Sequence, residues 1–253
     1  MIQLIYQVEG VFFFMEYKYK YAPSIVLNKY KRHEDGRTLP IEIFGSNSKQ
    51  GTSIYVTPIN TLFDIGVNFQ KIEHLQDITD FIMISHEHSD HLNWHTLNTI
   101  LLGHPTLQVL LPYFITVPTK YNHLMKHIIQ VSDESSIALT MRDGQHIKVD
   151  AFEMPHGNET SFSYEVTFQN AHLLFSTDLS NTSHLPQFIK FDIIMIETNY
   201  DQDEFISKNG AGGAIAHLSV QDAIAYATSH LDEFGKILPL HFGPTMINYN
   251  QLH

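Results

Sequence analysis

ISHEHSDHLNWH, residues 84–95, places four histidines and two acids within twelve positions, overlapping the end of the apolar run DFIMIS at residues 80–85. A short apolar run of this kind reads as a strand, and HLNWHTLNTILLG, beginning at His91, has helical spacing. The polar cluster therefore falls where a strand hands over to a helix. His86 and His88 stand two apart, so in an extended turn both imidazoles can converge on one metal ion. Asp90 and His91 follow at once and can face a second ion beside it. Zinc-type ions take imidazole and carboxylate, and a catalytic site keeps one position open for water. Two ions roughly 3.5–4 Å apart can share a hydroxide and hold both ends of a displacement.

The rest of the chain sets bounds on that chemistry. A length of 253 residues suits one sizeable core. There is no cysteine, so disulfides and thiolate ligands are excluded and any transition-metal site must use histidine and carboxylate. No apolar run approaches the roughly 20 residues of a membrane helix. The opening MIQLIYQVEGVFFFM lacks the basic start and small-residue cleavage site of a secretory signal, and Met15 offers a second start. A cytoplasmic protein with no membrane partner is the expectation. Residues 1–40 hold six of the fifteen basic residues, which leaves nine bases against twenty-three acids in the remainder. Such a body is a poor non-specific binder of duplex nucleic acid, which needs many Lys and Arg contacts to phosphate. Bound divalent ions would offset part of that negative charge locally.

No repeat or linker divides the chain. Residues 1–40 are expected to form an N-terminal arm, with YKYKYAPSIVLNKYKR as an exposed hairpin or edge extension, and residues 41–253 the main domain. Within the domain, LPIEIFGSNSKQGTSIYVTP and NTLFDIG read as strands joined by a Gly/Ser turn. QHIKVDAFEMP, SFSYEVTF, AHLLFST, FDIIMIE and KILPLHF read as further strands, with a helix at SVQDAIAYATSHL. Interleaved strands and helices point to a layered α/β protein.

His-x-His-x-Asp-His is the signature of the metallo-β-lactamase-fold hydrolases, and this chain resembles them from about residue 41 to 245. The resemblance implies an αββα sandwich. His86, His88 and His156 would hold one ion, Asp90, His91 and His241 the other, and Asp178 in LLFSTDLS would bridge them. The ions would be zinc or manganese. Asp64, in NTLFDIG, matches the family's early Asp-Gly strand end with Ile65 intervening, and would support ligands by hydrogen bonds.

MIETNYD and AHLSVQDAIAYA resemble the phosphodiesterase branch, including the ribonuclease Z group. There a glutamate orients a histidine that protonates the leaving oxygen; here these would be Glu197 and His217. FGSNSKQGTSIYV together with HLS is similar to the WalJ-like group, and the anti-Pycsar cyclic-nucleotide phosphodiesterases share the fold. The long arm with which ribonuclease Z grips tRNA has no counterpart, which disfavours tRNA processing. The expected activity is hydrolysis of a nucleotide phosphodiester, in a cyclic nucleotide or single-stranded nucleic acid, by a metal-bridging hydroxide. Lactone or thioester hydrolysis on the same metals is the alternative. Exposed edge strands and the arm make a homodimer reasonable.

Overall fold

A computed structural model of the chain describes residues 2–8, 11–17, 41–202 and 216–241. β1 (Ile2–Val8) and β2 (Val11–Tyr17) form an antiparallel hairpin that is a sheet of its own, with Met15 opposite Leu4. The Tyr/Lys segment read as an exposed hairpin lies, beyond Tyr17, outside the described residues.

The first large sheet takes its strands in chain order: β3 (Ile41–Asn47), β4 (Gly51–Val56), β5 (Thr61–Phe63), β6 (Phe81–Met83), β7 (Gln108–Pro112) and β8 (Ile128–Val131). β3 to β5 are antiparallel; β5 to β8 are parallel. The second sheet runs from β9 (Ser135–Thr140) through β10 (His146–His156), β11 (Glu159–Phe168), β12 (Ala171–Ser176) and β13 (Phe191–Glu197) to β14 (Leu231–Leu240). Its last two pairings, β12 with β13 and β13 with β14, are parallel.

Side chains alternate across each central strand, and both faces are buried, which is why these strands are almost wholly apolar. In β6, Phe81 and Met83 point into the core between the sheets, while Ile82 packs outward against Leu97 and Ile100 of α2 (Trp94–Gly103) and Ile72 of α1 (Phe69–Ile72). In β13, Ile193 and Met195 enter the central core, and Ile194 and Ile196 meet Ala223 and Ala227 of α3 (Val220–His230). The result is helix, sheet, sheet, helix.

Polar ties close the two sheets over one end. The Tyr164 hydroxyl donates to the Ile84 carbonyl at 2.6 Å, and the Phe162 amide donates to the Ser85 carbonyl at 2.8 Å. The His241 amide donates to Ser46 Oγ at 2.8 Å. That end lies at the carboxyl termini of the parallel strands, the usual place for a site in an α/β sheet. Among the described residues, no helix is long and apolar enough to cross a membrane.

Candidate metal centre

The turn after β6 carries His86 to His91, and two backbone segments brace it from beneath. The Ile65 amide donates to the His91 carbonyl at 2.8 Å, and the Thr52 amide donates to the Asp90 carbonyl at 2.6 Å. Thr52, in β4 just after the Gly/Ser turn, thus braces the centre through its backbone. Asn93 then caps α2, its side chain accepting from the amides of His95 and Thr96.

Sheet two supplies the facing residues from strand ends: His156 closes β10, Asp178 follows β12, Glu197 closes β13 and His241 follows β14. Asp64, Asp178 and His241 all have left-handed backbones, with φ of 56°, 51° and 49°. Each such position stores roughly 1–3 kcal/mol of strain, a pattern that concentrates at functional sites.

Ligand atoms of His86, His88 and His156 lie within 4.8 Å of one another, and so do those of Asp90, His91 and His241. Asp178 stands between the two trios: its Oδ2 is 3.0 Å from His91 Nε2, and its Oδ1 is 3.7 Å from His156 Nε2 and 3.4 Å from His241 Nδ1. The structure thus brings together all seven residues read from the sequence as ligands.

Outer contacts leave the inward nitrogens free. His156 Nδ1 donates to the Ala216 carbonyl at 2.8 Å, and His91 Nδ1 donates to Asp64 Oδ2 at 2.7 Å. Asp64 also accepts from the amide and the hydroxyl of Ser85, at 2.7 and 2.9 Å. His86 Nδ1 lies 3.0 Å from the same hydroxyl. His86 Nε2 is buried without a hydrogen-bond partner, and buried His91 Nε2 meets only the Asp178 carboxylate, 3.0 Å away and outside hydrogen-bond geometry. Buried imidazole nitrogens without a hydrogen bond, gathered around a carboxylate, fit a divalent ion, which would supply the missing partner.

Glu197 is fully buried and serves more groups than the sequence suggested. Its Oε1 is 2.6 Å from His217 Nδ1 and 3.0 Å from His241 Nδ1, and its Oε2 accepts from the amides of Leu179 and Leu218. Ser219 caps α3 through the Asp222 amide, so the capping role and the Glu197–His217 pair coexist. Sequence reading missed Ser85, Ser161, whose hydroxyl donates to the Asp178 carbonyl at 2.6 Å, and Glu159, whose carboxylate meets His88.

The electrostatics follow from the mixture. Burial alone would lower the pKa of His91, but the Asp178 and Asp64 carboxylates outweigh it and hold it well above the usual range. His241, likewise opposed by burial, is pushed up to about 10 by Asp90, Glu197 and Asp178. Asp178 is held well below the ordinary carboxylate range: burial works against this, and His91, His241 and His86 prevail.

A family model described as "Beta-lactamase superfamily domain" matches residues 58–242. The chain belongs to the beta-lactamase superfamily. Among solved structures, this superfamily member is similar to the metallo-beta-lactamase fold protein YhfI from Bacillus subtilis, at 15% identity and a TM-score of 0.57 over 83% of this chain and 88% of that one. It is similar to the short form of human tRNase Z, at 18% identity and a TM-score of 0.53 over 81% and 93%. It is also similar to Zn(2+)-bound PqqB from Methylobacterium extorquens, at 12% identity and a TM-score of 0.59 over 80% and 89%. A comparison with curated proteins finds no match. The layering is that of the metallo-β-lactamase fold, and family and ligand cluster together make the chain a metal-dependent hydrolase.

Proposed function

We propose that this hydrolase cleaves a nucleotide phosphodiester, in a cyclic nucleotide or single-stranded nucleic acid, on a centre of two divalent ions, zinc or manganese. The observation that carries the reading is the Glu197–His217 pair at the edge of the ligand cluster. A lactone or thioester hydrolase has no need of it, whereas an alkoxide leaves phosphorus poorly unless a positioned acid protonates it. The likeness to a tRNase supports the same choice, and the zinc of PqqB supports zinc.

His86, His88 and His156 would hold one ion, and Asp90, His91 and His241 the other, with Asp178 between them. Bound there, the ions supply Lewis acidity and ionise water at neutral pH. The protein's own groups do the rest. With Nδ1 bonded to Glu197, His217 keeps Nε2 for the substrate, and about a third of its side chain is exposed. Burial lowers its pKa, but the bond to Glu197 outweighs burial and raises it above the ordinary imidazole value. It can therefore deliver a proton to the departing oxygen while water attacks phosphorus. Asp90, partly exposed where Asp178 is buried, is placed to accept a hydrogen bond from that water.

Leaving-group dependence tests the reading. In metal-loaded protein, His217→Ala is expected to slow cleavage of a cyclic mononucleotide or single-stranded DNA by roughly 10²–10⁴-fold. Bis-p-nitrophenyl phosphate, whose leaving group departs unprotonated, should lose far less. Asp90→Ala should abolish both. Equal losses on all substrates from His217→Ala would remove the acid role. Activity on lactones or thioesters that survives His217→Ala, with none on phosphodiesters, would replace the reading by acyl hydrolysis.

A further inference from the structure

The turn between β10 and β11 reads His156–Gly157–Asn158–Glu159, and His156 pairs directly with Glu159 across it. Gly157, at φ 61°, supplies the positive φ that a two-residue hairpin turn requires. Cross-strand partners project from the same face. Glu159 is therefore delivered to the side of the hairpin on which His156 joins the ligand cluster.

Its carboxylate does not enter that cluster. Glu159 Oε2 lies 2.5 Å from His88 Nε2, yet among the described residues Glu159 is in none of the converging ligand groups, whereas His88 is. With Nε2 engaged by the carboxylate, Nδ1 is the nitrogen left for an ion shared with His86 and His156, whose ring centroids are 4.5 and 5.4 Å away. His86 and His156 are buried and tied by Ser85 and the Ala216 carbonyl, but His88 is 40% exposed. An exposed imidazole turns freely unless something holds it.

Resting on the two-metal reading above, we propose that Glu159 is the positioning residue of the first ion site. By accepting the Nε2 hydrogen it fixes His88 in the tautomer that offers Nδ1 as ligand. One four-residue turn then provides both a ligand and the group that orients another.

The test is zinc uptake by the metal-free full-length chain, in competition with a chromophoric chelator, for wild type, Glu159→Ala and Glu159→Gln. Long-range 1H–15N spectra of zinc-loaded wild type read which nitrogen of His88 carries hydrogen. Glu159→Ala is expected to weaken one of the two bound zinc ions by roughly 10–100-fold, the effect typical of losing a group that orients a ligand. Glu159→Gln should recover most of it, because the amide oxygen accepts the same bond, and the metal-free melting temperature should not move. Wild type should show the hydrogen on Nε2. Unchanged affinity in Glu159→Ala, or hydrogen on Nδ1, overturns the proposal alone. Wild type that takes up no zinc overturns the metal reading and this one with it.

Discussion

Asp64 touches no ligand atom on the inner side of the cluster, yet its two oxygens accept from the Ser85 amide, the Ser85 hydroxyl and His91 Nδ1. Burial raises its pKa and His91 opposes that, so the pair is a compensated charge in a dry place. Asn tolerates the left-handed backbone found here, so Asp64→Asn removes the charge without forcing the chain. Its amide nitrogen cannot accept, so whichever oxygen it replaces, at least one of the three donors loses its partner. Zinc affinity is expected to fall roughly 10–100-fold in chelator competition. Undiminished affinity would mean that His91 is oriented by packing alone. The sequence exposed this residue through its place in a family pattern, as it did His156, Asp178 and His241. His86, His88, Asp90 and His91 were legible directly, because six consecutive positions carry them. Ser85, Ser161 and Glu159 were not legible, because each acts through a backbone group or across the fold on a partner that no local spacing reveals.

At the scale of elements, the metal turn is held as tightly from below as from within. Gly66 runs so close to it that an added β-carbon would overlap the Asp90 carbonyl, and the Gly66 amide donates to the Thr52 carbonyl at 2.9 Å. Gly66→Ala must push Asp90 and His91 upward together. A loss of about 1–3 kcal/mol in denaturant unfolding is expected, the usual result of overpacking, and metal stoichiometry should fall with it. A variant that keeps both ions would show that the turn shifts without spreading its ligands. The elements that declared themselves in sequence are those whose side chains alternate between two apolar cores, FDIIMIE of β13 being the clearest. β7, β8 and β9 went unread: β8 and β9 are each the edge strand of a sheet, only partly buried and shaped by a single neighbour, while β7 is a mostly buried run of five residues, too short for periodicity to declare it. The 3-10 segment Thr119–His127 also went unread, because only Leu124 and His127 of its nine residues are buried.

Across the whole molecule, the centre closes one sheet on the other: His86, His88, Asp90 and His91 follow β6 of the first, while His156, Asp178 and His241 belong to strand ends of the second. Without metal, His91 and His241 take up that role when protonated, paired with Asp64, Asp178, Asp90 and Glu197. Both imidazoles have folded pKa values above the ordinary 6.5, His241 at about 10. Their contribution to stability is therefore full below pH 6.5 and is lost as pH climbs through the folded values, because the unfolded chain releases its protons first. Metal reverses the slope. Ligand imidazoles must be deprotonated to bind, so the stabilisation an ion brings grows as pH rises. Between about pH 6.5 and 9 the melting temperature of chelator-treated protein should fall while that of zinc-loaded protein holds or rises. Parallel curves would mean that the imidazoles joining the two sheets are not the groups that hold the ions.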